Sequence, residues 1–336
     1  MRTMNQDGVV FAPNWLGDAV MCLPALAALY HARPKQRWTV LARGAVASVL
    51  RLANLEWEVI ELAGRRSLRV PRRAAEVIVF PNSFHSALLS WRTGARRRVG
   101  YARDGRGWLL NPAVAVPAPG SLPGHESFYY LELLRRSGYI EALPPNLPSS
   151  LRVPLQPPGD RVAAWRERLG RGPHVAFHVG ASFGTAKRWL PERFAALAGA
   201  LTERGRQVLL VGGPADRDLA RTVRMSAPRP EQIKNLAGET SVAELVALLA
   251  AVDVLVANDS GPMHLAAAVG TPVVAIFGAT NERETFPLAA PGKLRLLKAP
   301  GIECSPCKLR ECPIDHRCMT RIEVAEVLNA VEEVLA

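Results

Sequence analysis

Aromatic side chains are scarce, at 6% of the 336 residues. No strand-like stretch sets them among cations, so the stacking platforms of RNA-binding modules have no material here. Long hydrophobic runs are missing too. Near the start, Asp7, Pro13 and Asp18 interrupt each apolar stretch before it takes signal-peptide or membrane-spanning form, which reads as a cytoplasmic chain. Cysteines number only five, Cys22 by itself and Cys304, Cys307, Cys312 and Cys318 crowded near the end. In a reducing compartment no disulfide framework is expected. No G-x-G-x-x-G follows the first apolar strand and no G-x-x-x-x-G-K-[ST] occurs, which argues against a dinucleotide cofactor in the first half and against a Walker loop. A repeat of solenoid period is absent as well.

What is present is enough apolar surface for two cores. Hydrophobic residues make up 49% with a mean hydropathy of +0.05, and the 26 Gly and 27 Pro are spread as punctuation. Single cores tend to stop growing near about 250 residues, so two domains are expected. Charge is unevenly shared: residues 1–150 hold 19 Lys and Arg against 10 Asp and Glu, or +9 of the total +12. Two arginine clusters carry it, Arg65, Arg66, Arg69, Arg72 and Arg73, then Arg96, Arg97, Arg98, Arg103 and Arg106. They suit a polyanionic partner or an anionic membrane surface, and equally a solvated basic face.

Short apolar runs alternate with helical patterns: GVVFAP, a helix over about 17–32, RWTVLAR, EWEVIEL, EVIVFPN and a helix near 84–93. That rhythm predicts a parallel sheet with crossover helices. Residues 140–160, IEALPPNLPSSLRVPLQPPGD, are too rich in proline for a helix or central strand to run through, and read as a linker between domains 1–150 and 151–336. The alternation then restarts with HVAFHVG, RQVLLVGG, KNLAG, DVLVAND and PVVAIFG, separated by helices. The fold class expected is α/β, two Rossmann-like doubly wound domains, with the last helix free to return to the first. Ligands in such folds sit beyond the carboxyl ends of the strands.

Three loops there could carry chemistry. In PNWLGDAVMCLP, Asp18 falls at a helix start, where it serves either as a cap or as a general base within reach of an acceptor hydroxyl. In HVGASFGTAKRWLPERF, the backbone from Gly180 to Thr185, the hydroxyls of Ser182 and Thr185 and the Lys187 ammonium form a phosphate site, or else an ordinary loop with a solvated lysine. In DVLVANDSGPMHLAAAVG, a buried strand runs into Asp259 and Ser260, which would cap a helix. The N–H groups of Ser260 and Gly261 would meet a pyrophosphate, and His264 faces the site or is a satisfied core histidine. Glu239, in NLAGETSVAEL, is placed at a helix start as a ribose ligand or a plain dipole acid.

NWLGDAVMCLPAL, PNSFHSAL, GASFGTAKRWLPERF, NLAGETSVAEL and NDSGPMHLAAAVGTPVVAIFG occur in an order and spacing that resemble glycosyltransferase family 9, the ADP-heptose:lipopolysaccharide heptosyltransferases, and its heptosyltransferase II branch in particular. The resemblance spans nearly the whole chain. It implies a GT-B fold with the two halves facing across a cleft, and an ADP-L-glycero-β-D-manno-heptose donor in the second half. It further implies an inner-core acceptor, heptosyl-Kdo2-lipid A, in the first half, and inversion without a metal or other cofactor. By position it makes Asp18 the base and Lys187 the ligand of the leaving diphosphate. Ser182, Thr185, Glu239, Asp259, Ser260, Gly261 and His264 surround the donor, and Asn14, Asn82, Ser83 and His85 line the acceptor side. The arginine clusters would meet acceptor carboxylates and phosphates, with peripheral contact at the inner membrane face. None of the quoted motifs holds an Asp-x-Asp pair.

Alternatives remain at this point. The same fold and mechanism could serve another acceptor or nucleotide sugar, and GRRSLRVPRR is where such a difference would lie. A basic nucleic-acid binder is the remote reading, without a supporting motif. C-x2-C-x4-C-x5-C, around His316, invites a structural zinc on Cys304, Cys307, Cys312 and Cys318, against unpaired cysteines or a single disulfide.

Overall fold

The computed structural model describes residues 7–62 and 74–336. The chain divides into two compact units, Met1–Val153 and Pro154–Ala336, three residues beyond the expected boundary and inside the proline-rich stretch. Within that stretch lie only a four-residue turn of helix, Pro148–Leu151, and the start of the helix Gly159–Leu169.

Among the described residues of the first unit six strands form one sheet: β1 (Asp7–Phe11), β2 (Arg37–Ala42), β3 (Glu58–Glu61), β4 (Glu76–Val79), β5 (Arg97–Tyr101) and β6 (Ala113–Val114). Their order is β3-β2-β1-β4-β5-β6, and every ladder is parallel. A parallel sheet needs both faces covered, which is why β1 and β4 read as unbroken apolar runs. Phe11 lies beside both Leu41 and Val79, so the loops after β1, β2 and β4 open at one rim. The helix Leu16–Ala32 covers one face and packs on the helix Ser127–Arg136, whose Ser127 hydroxyl donates to the Met21 carbonyl at 2.7 Å.

The second unit repeats the plan with β7 (His174–His178), β8 (Gln207–Leu210), β9 (Ile233–Asn235), β10 (Val254–Asn258), β11 (Val273–Phe277) and β12 (Leu294–Lys298), in the order β12-β11-β10-β7-β8-β9. Both sheets thus reverse direction between their first and fourth strands, the switch point at which doubly wound folds open a crevice. Val175, Phe177, Val254, Val256, Val274 and Ile276 are fully buried in the larger core, where Trp189 and Phe194 meet edge to face. The last helix, Val324–Leu335, packs on the helix Pro191–Glu203 and on β10–β12 of its own unit. Among the described residues no helix is long and apolar enough to cross a membrane.

Candidate functional site

In the second unit the loops after β7, β8, β10 and β11 converge at the carboxyl rim. Asn258, fully buried at the end of β10, donates from Nδ2 to the Val179 carbonyl at 2.9 Å and accepts from the Trp189 N–H at 2.9 Å. One amide therefore pins both ends of the 180–187 loop. Lys187 is then delivered to Asp259, with Nζ and Oδ2 2.6 Å apart and side chains 12% and 5% exposed. The Thr280 hydroxyl donates to the same carboxylate oxygen at 2.5 Å, and the Lys187 ammonium lies 5.0 Å from the centre of the Phe183 ring. Lys187 is thus held by a partner, not solvated. Asp259 holds Lys187 and does not cap.

The helix Gly261–Ala268 starts at Ser260, which makes no side-chain cap. Its hydroxyl instead lies 2.9 Å from His178 Nδ1 and 2.9 Å from the Asn258 carbonyl. His178 in turn sets Nε2 3.5 Å from Asp216 Oδ2, and that oxygen accepts from the Gly213 N–H at 2.9 Å. Burial would raise the Asp216 carboxyl, but His178, the Gly213 N–H and the Arg188 charge outweigh it and hold the group below the usual aspartate range. The carboxylate fits because Gly180 and Gly212 carry no side chain: a Cβ would stand 1.9 Å from Asp216 Oδ1 at the first and 2.7 Å from Oδ2 at the second.

Ser182 and Thr185 are exposed on the loop beside Lys187, and Gly261 opens the helix that buries His264 at 3% exposure. Glu239 departs from the expectation. It is exposed in a tight turn ahead of the helix Val242–Leu249, which Ser241 caps with Glu244 answering from three residues on. The serine outcompetes it because its short hydroxyl reaches the free N–H groups directly. His178 and Asp216 escaped the sequence reading because a strand-end histidine and a turn aspartate carry no motif.

The cysteine-rich segment lies against the same loop. The Arg310 carbonyl accepts from the Ala186 N–H at 3.0 Å, His316 Nε2 sits 3.0 Å from the Ala186 carbonyl, and Ser305 donates to the Gly278 carbonyl at 2.6 Å. All five cysteines are free, Cys304 exposed and Cys318 buried. Burial, then the neighbouring Cys312, Cys307 and Cys304, push the Cys318 thiol up to about 11. Among the described residues no three His, Cys, Asp or Glu side chains are arranged to hold a metal ion. An Asp-x-Asp pattern does occur outside the family motifs, Asp216-Arg217-Asp218, but Asp216 is engaged with His178 and Asp218 lies exposed in the first turn of the helix Arg217–Ser226.

In the first unit Asp18 is the third residue of the helix Leu16–Ala32, whose N-cap is Trp15, so it is a first-turn acid and not the cap. It is half-buried. Burial first and the Asp18 charge second raise both Cys22 and Tyr130 well above their usual values, which puts the carboxylate beside two groups kept protonated. A small cavity at the rim is lined by Asn14, Ser83 and His85 together with Phe11, Arg43 and Ser86. Three of the four expected acceptor residues therefore meet, joined by an unforeseen Arg43. His85 Nε2 is buried without a hydrogen-bond partner among the described residues, while Ser83 caps the helix Phe84–Arg92 by accepting from the Ser86 N–H at 3.2 Å.

Asn82 does not line this cavity; its Oδ1 accepts from Arg106 and from the Tyr129 hydroxyl, each at 3.3 Å. Arg106 is fully buried and also donates to the carbonyls of Tyr101, Pro81 and Ser83. Burial lowers its guanidinium from the usual arginine value. The second arginine cluster is therefore not a single solvated patch. Arg97 pairs with Glu76 at 3.3 Å, Arg98 donates to the Leu109 carbonyl at 2.8 Å, and only Arg96 and Arg103 are exposed. The first cluster, from Arg65 to Arg73, lies outside the described residues.

Two doubly wound units, the second with a lysine–carboxylate pair and a helix start at its switch point, make a two-domain α/β scaffold. Residues 64–317 match glycosyltransferase family 9 (heptosyltransferase), and the chain belongs to that family. It is 31% identical over 301 residues to lipopolysaccharide heptosyltransferase 2 of Escherichia coli, covering 84% of this chain and 85% of that one. Against lipooligosaccharide heptosyltransferase 2 of Haemophilus influenzae it is 31% identical over 290 residues, 83% and 77% covered. The solved structure of E. coli ADP-heptose lps heptosyltransferase II superposes with a TM-score of 0.82 at 28% identity over 98% of each chain. The chain is a glycosyltransferase of the GT-B fold class.

Proposed function

We propose that this glycosyltransferase moves a heptosyl group from ADP-L-glycero-β-D-manno-heptose to a hydroxyl of the lipopolysaccharide inner core, heptosyl-Kdo2-lipid A, inverting the anomeric centre without a metal ion. The observation that carries the donor half is the Lys187–Asp259 pair, 2.6 Å apart at the start of the helix Gly261–Ala268. A helix start offers free N–H groups and a partial positive charge to a diphosphate. An ammonium already oriented by a buried carboxylate needs no reorganisation to offset charge developing on the leaving ADP. Ser182, Thr185 and Gly261 lie at this rim to bind the donor. Glu239, though exposed and not at a helix start, remains a ribose ligand in this reading.

Asp18 serves as the base. Its carboxylate takes the proton of the acceptor hydroxyl as oxygen attacks the anomeric carbon, and the departing bond leaves its electron pair on the ADP phosphate. Asn14, Ser83, His85 and Asn82 order the acceptor, Arg96 and Arg103 supply charge for its anionic groups, and the enzyme works at the inner face of the cytoplasmic membrane.

Transfer assayed with ADP-heptose and heptosyl-Kdo2-lipid A in EDTA, for wild type and Asp18→Ala, tests the reading. Turnover in EDTA that the variant loses while ADP still binds is the expected result. Wild-type activity on a different acceptor alone, or a strict metal requirement, would sink the substrate or the mechanism respectively.

A further inference from the structure

The helix Phe84–Arg92 turns hydroxyls inward and aromatic rings outward. Ser86 and Ser90 are buried, as is Thr93 at the C-cap. Each satisfies its hydroxyl on nearby backbone, Ser86 donating to the Ser83 carbonyl at 2.7 Å, Ser90 to that of Ala87 at 2.7 Å and Thr93 to that of Ser90 at 2.6 Å. The other face carries Phe84, Leu88 and Trp91, spaced i, i+4 and i+7 as one stripe. Phe84 and Trp91 are exposed and Leu88 is half-buried. Trp108, 72% exposed in the turn Gly107–Leu109, widens the stripe, its ring 6.2 Å from that of Phe84. Among the described residues the exposed aromatics are these three and Trp15, all in the first unit. A contiguous apolar face left open to water marks a surface that meets something apolar.

The surroundings say what it meets. Residues 84–112 hold six arginines against one acid, Asp104. Arg97, Arg98 and Arg106 are tied to Glu76 or to backbone carbonyls, which leaves Arg92, Arg96 and Arg103 exposed. Asp104 stands 3.8 Å from Arg103 with both side chains in solvent, a pair that water screens. Tryptophan and phenylalanine among arginines suit the boundary of an anionic bilayer, where rings enter between headgroup and acyl chain and guanidinium groups meet lipid phosphates. A second copy of the chain would set one basic surface against its twin, which repels.

We propose that Phe84, Trp91 and Trp108, with Arg92 and the other exposed arginines of this stretch, dock the first unit on an anionic bilayer surface. The proposal rests on the reading that the enzyme works at a membrane face, and names the face. Phe84 lies between Ser83 and His85, which line the rim cavity, so docking here brings that cavity to the layer of lipid headgroups.

The test is co-sedimentation of the full chain with acceptor-free vesicles, of phosphatidylcholine alone or mixed with phosphatidylglycerol. Wild type is expected to prefer the anionic vesicles by about a hundredfold, for three arginines at the surface, and to lose the preference in high salt. Trp91→Ser with Trp108→Ser should weaken binding by about tenfold or more for each ring withdrawn, with ADP affinity unchanged. Arg92→Gln should cost about fivefold on anionic vesicles and nothing on neutral ones. Quenching of wild-type tryptophan emission by brominated acyl chains reads ring insertion without any substitution. Wild type that ignores anionic vesicles or escapes quenching overturns the proposal, and so does a double variant that binds as wild type does. Wild type that dimerises where the double variant stays monomeric, with vesicles bound by neither, gives the face to a second copy and overturns it as well. Because the vesicles hold no acceptor, failure here leaves the transfer reaction standing, and failed transfer to detergent-dispersed acceptor leaves the docking face standing.

Discussion

Lys187 and Asp259 lie 72 residues apart in sequence, yet their charged atoms are 2.6 Å apart and nearly out of solvent. Removing one partner strands the other. Lys187→Ala should destabilise the chain by about 3 kcal/mol, the cost of an uncompensated buried carboxylate. It should also weaken ADP by about tenfold to a hundredfold, as loss of a charged hydrogen bond does. Denaturant unfolding and ADP titration read the two effects separately. If Lys187→Ala keeps full ADP affinity, the lysine is structural only.

Asp18 can be tested without disturbing its helix. Asp18→Asn keeps the shape and gives up a first-turn charge worth about 0.3–1 kcal/mol. As general base its loss should cut kcat by about a hundredfold to ten-thousandfold, with ADP affinity unchanged. A variant that retains near wild-type kcat over a range of pH would remove Asp18 from the mechanism.

The rhythm of the fold was legible because buried parallel strands leave continuous apolar runs, as in DVLVAND and PVVAIFG. Where charge breaks the run the signal fails: two arginines open β5, and Arg295 and Lys298 interrupt the half-buried β12. Loop residues at strand ends were legible through small and hydroxyl-bearing motifs. Long-range partners were not, because nothing local marks His178 as the meeting point of Asp216 and Ser260. Arg106 shows the reverse error, since an arginine in a basic run reads as surface while its buried role depends on carbonyls 25 and 23 residues away.

Arg106 should accordingly be needed for stability and for the acceptor side. Arg106→Met takes one donor each from the carbonyls of Pro81, Ser83 and Tyr101, which keep Ser86, Ala87 and Arg103 as partners, and is expected to cost about 3 kcal/mol, roughly 1 kcal/mol for each hydrogen bond lost. Arg106→Lys keeps a charge but cannot fork. It should fold, with Asn82 released and the acceptor KM raised while ADP affinity holds. Equal KM in wild type and the lysine variant would show that Asn82 is not used on the acceptor.

Glu132 offers a pH test of the scaffold beneath Asp18. Its side chain, 3% exposed, takes Arg135 at 2.7 Å and Arg136 at 2.6 Å. The Arg135 hydrogen bond, opposed by burial and helped by Arg136, lowers its carboxyl below the usual glutamate value. A folded-state pKa below the unfolded one adds stability that is complete above the ordinary value of about 4.3 and is lost as pH falls through the folded value. The Tm difference between wild type and Glu132→Gln should therefore be constant at neutral pH and close on acidification below about pH 4. A gap that persists unchanged into acid would mean that the arginine pairs contribute nothing through charge.

Gly184 joins the loop that carries Lys187 to the cysteine-rich segment through a close approach of backbone. A Cβ at this position would stand 2.1 Å from the Arg310 carbonyl oxygen and 2.7 Å from its carbon, and that same oxygen accepts the Ala186 N–H. Neither side is the loose end of a flexible side chain, so the segment must move as a unit. Arg310 also lies over the Phe183 ring that backs Lys187, and Cys318 and Met319 pack against Gly278 at the base of the segment. Gly184→Ala is thus expected to cost about 1–3 kcal/mol as overpacking does, to lower ADP affinity through a displaced Lys187, and to speed thiol-reagent labelling of Cys318. Cys318 is buried, with its thiol held protonated near 11, so it should label slowly in the wild type. Labelling of Cys318 at the wild-type rate, with ADP affinity intact, would show that the segment docks independently of the loop and leaves donor binding to the sheet rim alone.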